Sequence, residues 1–289
     1  MQQIGGILIV LACVFGGFTL MGGEFAKLWQ PVELLVIVGA AVGALVLGNP
    51  RHVLTEMLIQ LRKMVTLRKR TAGKAFQRQL LCLMYELLLV GRDLKALDEH
   101  VEAPQDSPLF QRYPMVLAEP KLLAFIVDNF RIMAMGKISA HELEGVLEQE
   151  LEAVENDLEQ PSRSMKKISD AMPGFGIVAA VLGIVIAMNS VSAGATAGEI
   201  AEKVGAAMVG TFIGIFFCYG VLDPLANMIK QIVTAEISDM ECVKVALVAY
   251  AGGKPPLLAI DAGRRLVQLT NKPSFAQLEE WINEIEATT

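Results

Sequence analysis

Charge is distributed so unevenly along this chain that insertion into a membrane is the first constraint on its fold. Residues 1–50 carry only Glu24, Lys27 and Glu33, and residues 171–222 carry only Glu199, Glu202 and Lys203. The 289-residue sequence has 25 Lys and Arg and 31 Asp and Glu, so nearly all of its charge falls on the remaining residues, at a density ordinary for water-soluble protein. A long uncharged apolar run can cross a hydrocarbon layer as a helix, the structure in which a single segment satisfies its own backbone. Four such runs occur, at 4–20, 34–47, 171–198 and 204–222. The first has no cationic leader and a long apolar stretch, so it reads as a retained span and not as a cleaved signal. The second lies between Pro31 and the Asn49-Pro50 stop.

Cationic side chains resist translocation, and their placement near span ends sets orientation. Arg51, Arg62, Lys63, Arg68, Lys69 and Arg70 follow the second span, and Arg163, Lys166 and Lys167 precede the third. The two remaining connections hold only Lys27 and Lys203. The expected protein is an all-α, multi-pass membrane protein with both termini in the cytoplasm. Residues 1–48 form spans one and two, 49–170 a helical cytoplasmic domain, 171–223 spans three and four, and 224–289 a helical cytoplasmic tail.

Within 49–170, Leu143, Leu147, Leu151, Val154 and Leu158 recur at helical spacing with glutamates between them, which predicts an amphipathic helix. Further helices are expected over 75–90 and 120–135, and in the tail to about 249 and over 275–287, with a break at Gly252-Gly253-Lys254-Pro255-Pro256. No sustained period-two alternation predicts a sheet.

Candidate chemistry is sparse. The three histidines are scattered and lack the second ligand of a zinc helix, and no nucleophile elbow occurs, so neither an enzyme nor a metal site is expected. The net charge of −6, without a basic block, argues against nucleic acid. Cys13, Cys82, Cys218 and Cys242 show no paired spacing and read as small apolar residues. Gly174-Phe-Gly-Ile-Val-Ala179 matches a dinucleotide-binding pattern, but it opens a membrane span where that pattern needs a strand before it. Gly39-x-x-x-Gly43 and Gly210-x-x-x-Gly214 place small residues one turn apart, suited to close helix packing within one subunit, between subunits or against another protein's helix.

No Asp, Glu, Lys, Arg or His lies inside any expected span. An ion-driven machine needs such a group in the membrane. Either this chain moves no ion or a partner supplies the carboxylate. Pro173 and Pro224 flank spans three and four, where a proline ordinarily starts or stops a helix.

Met172-Pro-Gly-Phe-Gly-Ile-Val-Ala-Ala-Val-Leu-Gly183, Met208-Val-Gly-Thr-Phe-Ile-Gly214 through Tyr219-Gly-Val-Leu-Asp-Pro224, and Tyr113-Pro-Met-Val-Leu-Ala118 resemble the MotA/PomA family of flagellar motor stator proteins. So do Val14-Phe-Gly-Gly17 and the tail from Val243 to Arg265, so the resemblance spans essentially the whole chain. It implies a non-enzymatic stator subunit of the inner membrane without a cofactor, assembled as a homopentamer around two MotB helices that carry the missing aspartate. Proton flow between the two proteins would drive torque on the rotor protein FliG. By position, Pro173 and Pro224 are similar to the family's two functional prolines, and Thr211 to the threonine of span four that lines the ion route. Ala180 stands where sodium-driven relatives present a threonine, which points to the proton. Arg92 with Asp98 or Glu99 resembles the charged pair that meets FliG, although the stretch before Asp98 is shorter than usual and aspartate replaces the common glutamate. The alternative is an energy-coupling protein of the related ExbB/TolQ type, whose members usually have three spans. A transporter with its own substrate is disfavoured by the uncharged spans.

Overall fold

A computed structural model of the chain describes residues 2–66, 73–91, 93–135 and 138–287. Among the described residues all regular structure is helical. In chain order the elements are α1 (Gln2–Leu20), α2 (Phe25–Leu28), α3 (Pro31–Gly48), α4 (Arg51–Thr66), α5 (Gly73–Val90), α6 (Leu94–Glu102), α7 (Pro108–Gln111), α8 (Pro114–Leu117) and α9 (Pro120–Ala134). There follow α10 (Ala140–Ser192), α11 (Ala197–Phe217), a π-helical turn (Cys218–Leu222), α12 (Asp223–Ala251), α13 (Pro256–Arg264) and α14 (Phe275–Glu286).

Local chemistry explains many of the boundaries. Prolines begin α3, α7, α8, α9 and α13, where a fixed φ suits the first turn and the missing N–H is an orphan anyway. Reciprocal capping boxes, Thr196 with Glu199 and Ser274 with Gln277, start α11 and α14. Gly22 and Gly194, both at φ +83°, supply the left-handed turns after α1 and α10 that a side chain would disfavour.

The helices expected over 75–90, 120–135 and 275–287 are α5, α9 and α14. No individual helix is expected from the sequence at α2, α4, α6, α7, α8 or α13. One expectation is corrected: Pro173 does not start a helix. It lies inside α10, which runs unbroken for 53 residues through both Pro161 and Pro173. An interior proline removes one hydrogen bond and crowds the carbonyl four residues back, at about 3 kcal/mol. Here the buried side chains of Met165, Ser169 and Met172 hold the flanking turns in place. Pro224 likewise ends nothing, because α12 takes it into its first turn directly after the π-turn.

Among the described residues, three helical runs are long and apolar enough to cross a membrane: Phe25–Gly48, Ala140–Ser192 and Ala197–Ala251. Gly5–Leu20 is a shorter apolar helix. The chain divides into two compact units, one of Met1–Met64 with Glu159–Lys230 and the other of Val65–Leu158 with Gln231–Thr289.

The first unit has its large apolar residues outside, Leu35, Leu47 and Leu8 among them, and its interior is small: Ile37, Ala41, Met172, Ala179 and Cys218. That inversion suits a lipid surround, which removes the penalty for exposed apolar area. Phe15 of α1 meets Phe212 and Phe216 of α11 at ring-centroid distances of 6.4 and 5.4 Å. The second unit is built the ordinary way round. Leu80, Leu83, Leu87, Phe110, Ile126, Phe130, Leu143, Leu147, Val243, Leu247, Ile260 and Leu278 are almost fully buried in one core, each contributing about 1.5–3 kcal/mol. The amphipathic stretch of α10 faces it through Leu143, Leu147, Leu151 and Leu158. Among its buried polar ties, Gln77 donates to Asp239 at 2.6 Å.

Candidate functional site

Helices α10 and α11 cross at backbone distance over a seam of small residues. A Cβ added at Gly176 would lie 2.9 Å from the Gly210 carbonyl oxygen and 3.2 Å from the Cα atoms of Gly214 and Thr211. One added at Gly214 would lie 2.6 Å from the Met172 carbonyl oxygen, and one at Gly183 would lie 2.6 Å from the Ala207 Cβ. Small residues three, four and seven positions apart on each helix therefore interlock, the geometry that lets helices associate without a hydrophobic drive. This explains Gly176, whose dinucleotide-like context is a packing pattern. It also divides the two glycine pairs: Gly210 and Gly214 pack within the chain, whereas Gly39 and Gly43 have nothing within 4 Å.

The seam gathers three of the sequence-predicted residues. A Cβ at Gly210 would lie 3.6 Å from the Ala180 amide nitrogen, so Ala180, itself buried, and Thr211 share one crossing. Pro173 is half-buried one residue beyond the Met172 carbonyl that faces Gly214. Pro224 is not brought there; it is exposed in the first turn of α12, past the π-turn.

That π-turn follows from the proline. Pro224 has no N–H for the carbonyl of Gly220 and its ring crowds that carbonyl, and the helix responds with the wider turn found at such interruptions. The Asp223 N–H bonds back to the Cys218 carbonyl, and the same oxygen accepts from the fully buried Ser169 hydroxyl at 3.0 Å. Ser162 donates to the Ala226 carbonyl at 2.9 Å, and Ser164 donates to Asn49 at the end of α3. Beside these, Lys166 bridges Asp170 at 2.8 Å and Asp223 at 2.7 Å. Hydrogen bonds to those two carboxylates push its ammonium above the ordinary lysine value. Sequence reasoning missed this polar band. Its signal was the run of serines in the amphipathic segment before span three, whose partners lie 49 to 115 residues away.

At the other end of the seam lies an open cleft of about 1440 Å³, lined by Phe18, Lys27, Ser190, Glu199, Lys203 and Val209 among others.

In the second unit, Asp98 and Glu99 are exposed on α6, whose N-terminus Asp93 caps by accepting from the Lys95 and Ala96 amides at 3.0 and 3.4 Å. Leu97 and Val101 point inward. Arg92 lies outside the described residues. Among the described residues no group of three His, Cys, Asp or Glu side chains could hold a metal ion.

Residues 4–93 match the family described as Motility protein A N-terminal, and residues 121–242 match the MotA/TolQ/ExbB proton channel family. The first takes in the α1–α5 region, the second takes in the whole seam, and Asp98 and Glu99 fall between them. The chain is 49% identical over 288 residues to Chemotaxis protein LafT of Vibrio parahaemolyticus serotype O3:K6, covering 99% of this chain and 100% of that protein. It is 37% identical over 283 residues to Motility protein A of Escherichia coli K12, covering 97% and 95%. Its fold is similar to the structure of C. jejuni MotAB at a TM-score of 0.70, with 16% identity over 93% of this chain and 96% of that one. It is also similar to the flagellar MotAB stator complex from Bacillus subtilis at a TM-score of 0.63, with 22% identity over 96% and 97%.

Proposed function

This chain belongs to the MotA family of flagellar motor stator proteins, which are ion-channel components and not enzymes, and from that premise we propose that it is the subunit that turns proton flow into torque on the rotor protein FliG. Four helices span the inner membrane, with both termini and 49–170 on the cytoplasmic side. Five copies surround two helices of MotB. The observation that carries this reading is that the segments 34–48, 171–192 and 204–222 contain no Asp, Glu, Lys, Arg or His, while the seam between two of them is built to backbone contact. A tightly shaped, uncharged wall suits a carboxylate brought by another protein, since such a group is costly in lipid unless a protein surrounds it.

The chemistry at the wall favours the proton. Sodium trades its hydration shell for several oxygen ligands, whereas a proton needs a titratable carboxylate and water. Ala180 offers no side-chain oxygen, and Thr211 is the hydroxyl beside it. The cleft lined by Lys27, Ser190, Glu199 and Lys203 supplies a hydrated entrance. Protonation of the MotB aspartate removes a charge next to Ala180 and Thr211 and changes how α10 and α11 seat against it. Both helices leave the membrane stretch without a break, through Pro173 on one and the π-turn before Pro224 on the other. The movement reaches FliG through Arg92 with Asp98 or Glu99.

Deleting the gene is expected to leave cells that assemble filaments and do not swim, with swimming restored by the gene in trans. An ExbB/TolQ-type role would instead leave swimming intact and impair an outer-membrane uptake system. At fixed pH, removal of external sodium is expected to leave swimming speed unchanged; arrest without sodium and recovery on its return would identify sodium as the coupling ion.

A further inference from the structure

The short helix α6, with nine residues, has little stability of its own, yet it carries Asp98 and Glu99. Beside it stands a buried acid that the ion route does not use. Glu86 lies on α5 with its side chain only 6% exposed, and its carboxylate accepts from the Arg112 guanidinium. The hydroxyl of Tyr113, itself buried, lies beside the same carboxylate, whose Oε1 has no hydrogen-bond partner. These two partners are consecutive, Arg112 being the last residue of α7's cap and Tyr113 the residue before α8. The start of α7 is tied in turn to α6: the Ser107 hydroxyl accepts from the Phe110 amide at 3.4 Å and lies 2.9 Å from His100 Nδ1. A continuous set of contacts thus runs from Glu86 across α7 to the turn of α6 that holds the two exposed acids.

A buried ion pair adds little stability over apolar residues of the same volume, but removing one member leaves an uncompensated charge. Burial pushes the Glu86 carboxyl above its ordinary value, with Arg112 and Tyr113 only partly opposing it. The contact therefore orients the chain more than it stabilises it. We propose that Glu86 is a positioning residue that acts through Arg112 and Tyr113 to set the place of α6, and so of Asp98 and Glu99. Its effect on torque rests on the rotor reading of those acids, while its effect on α6 does not.

The test uses the full-length chain with MotB, read by hydrogen exchange of the α6 amides in the purified complex and by the torque of single stator units in tethered cells. Arg112→Gln, which strands the carboxylate, is expected to speed exchange over 94–102 by about tenfold, with α9 and α14 unchanged, and to cut torque per unit by about half. Glu86→Gln should have a smaller effect on both. The double variant should recover most of the loss of Arg112→Gln, a non-additivity that belongs to a shared contact. Exchange in α6 unchanged in Arg112→Gln, loosening spread equally over α9 and α14, or additive losses would each overturn the proposal. Faster α6 exchange with normal torque would keep Glu86 as the positioning residue and overturn the rotor reading. If Arg112→Gln fails to accumulate, Tyr113→Phe, which removes one hydroxyl and keeps the ring, should still speed α6 exchange selectively; no change there would also overturn it.

Discussion

At single residues, what matters in this protein is how much space a side chain is allowed. Gly214 and Gly176 sit where a Cβ would press on backbone atoms of the facing helix, and backbone cannot rotate out of the way. Gly214→Leu is therefore expected to destabilise the subunit by about 3 kcal/mol or more, seen as a lowered melting temperature in detergent and a reduced level in the membrane. Gly145 is the contrasting case, on α10 with nothing within 4 Å. There Gly145→Ala should stabilise by about 0.5–1 kcal/mol, and a lower melting temperature would show that its face is in contact after all. Burial also sets thiol reactivity. It pushes the Cys82 thiol up to about 11, against an opposing Arg78, and raises that of Cys242 as well. Iodoacetamide at pH 8 should leave both unmodified in the folded protein and modify both on denaturation, because the thiolate is the nucleophile. Rapid modification of Cys82 before denaturation would mean that its core opens. Ala180 and Thr211 were picked out by resemblance alone, and no periodicity would have paired them; they meet because two helices cross at that point.

Among the elements, the π-turn is the one whose form traces to a single residue. Pro224 cannot donate to Gly220, and the ladder is completed by the Asp223 amide and the Ser169 hydroxyl, both on the Cys218 carbonyl. Replacing the proline restores a donor without demanding a new fold, since its position lies in the first turn of α12. Pro224→Ala subunits should insert and accumulate normally, while swimming in soft agar falls sharply; normal swimming at normal protein level would make the π-turn a passive joint. The serine ties were not legible beforehand. A hydroxyl on a helix face reads as solvated until the facing carbonyl is known, and Ser169 and Cys218 are 49 residues apart. The amphipathic α10 segment was legible, because its period lies within the local sequence.

At the scale of the whole molecule, orientation in the membrane is the property on which the proposed rotor contact depends. Single cysteines at 103, 27 and 198, treated with an impermeant maleimide on intact cells, should be modified at Lys27→Cys and Gly198→Cys and spared at Ala103→Cys. Modification at 103 without permeabilisation would reverse the arrangement. The sequence alone sufficed for the helical class, for the long apolar stretches, and for the absence of Asp, Glu, Lys, Arg and His from 34–48, 171–192 and 204–222, since hydropathy, period and charge count are properties of contiguous residues. Tertiary structure decided the rest: that Gly210 and Gly214 pack inside the subunit while Gly39 and Gly43 stay open, that Pro173 is carried within a helix, and that Glu86 finds Arg112 and Tyr113. Each of these depends on which faces meet, and a face acquires its neighbour only when segments far apart in the chain are brought together.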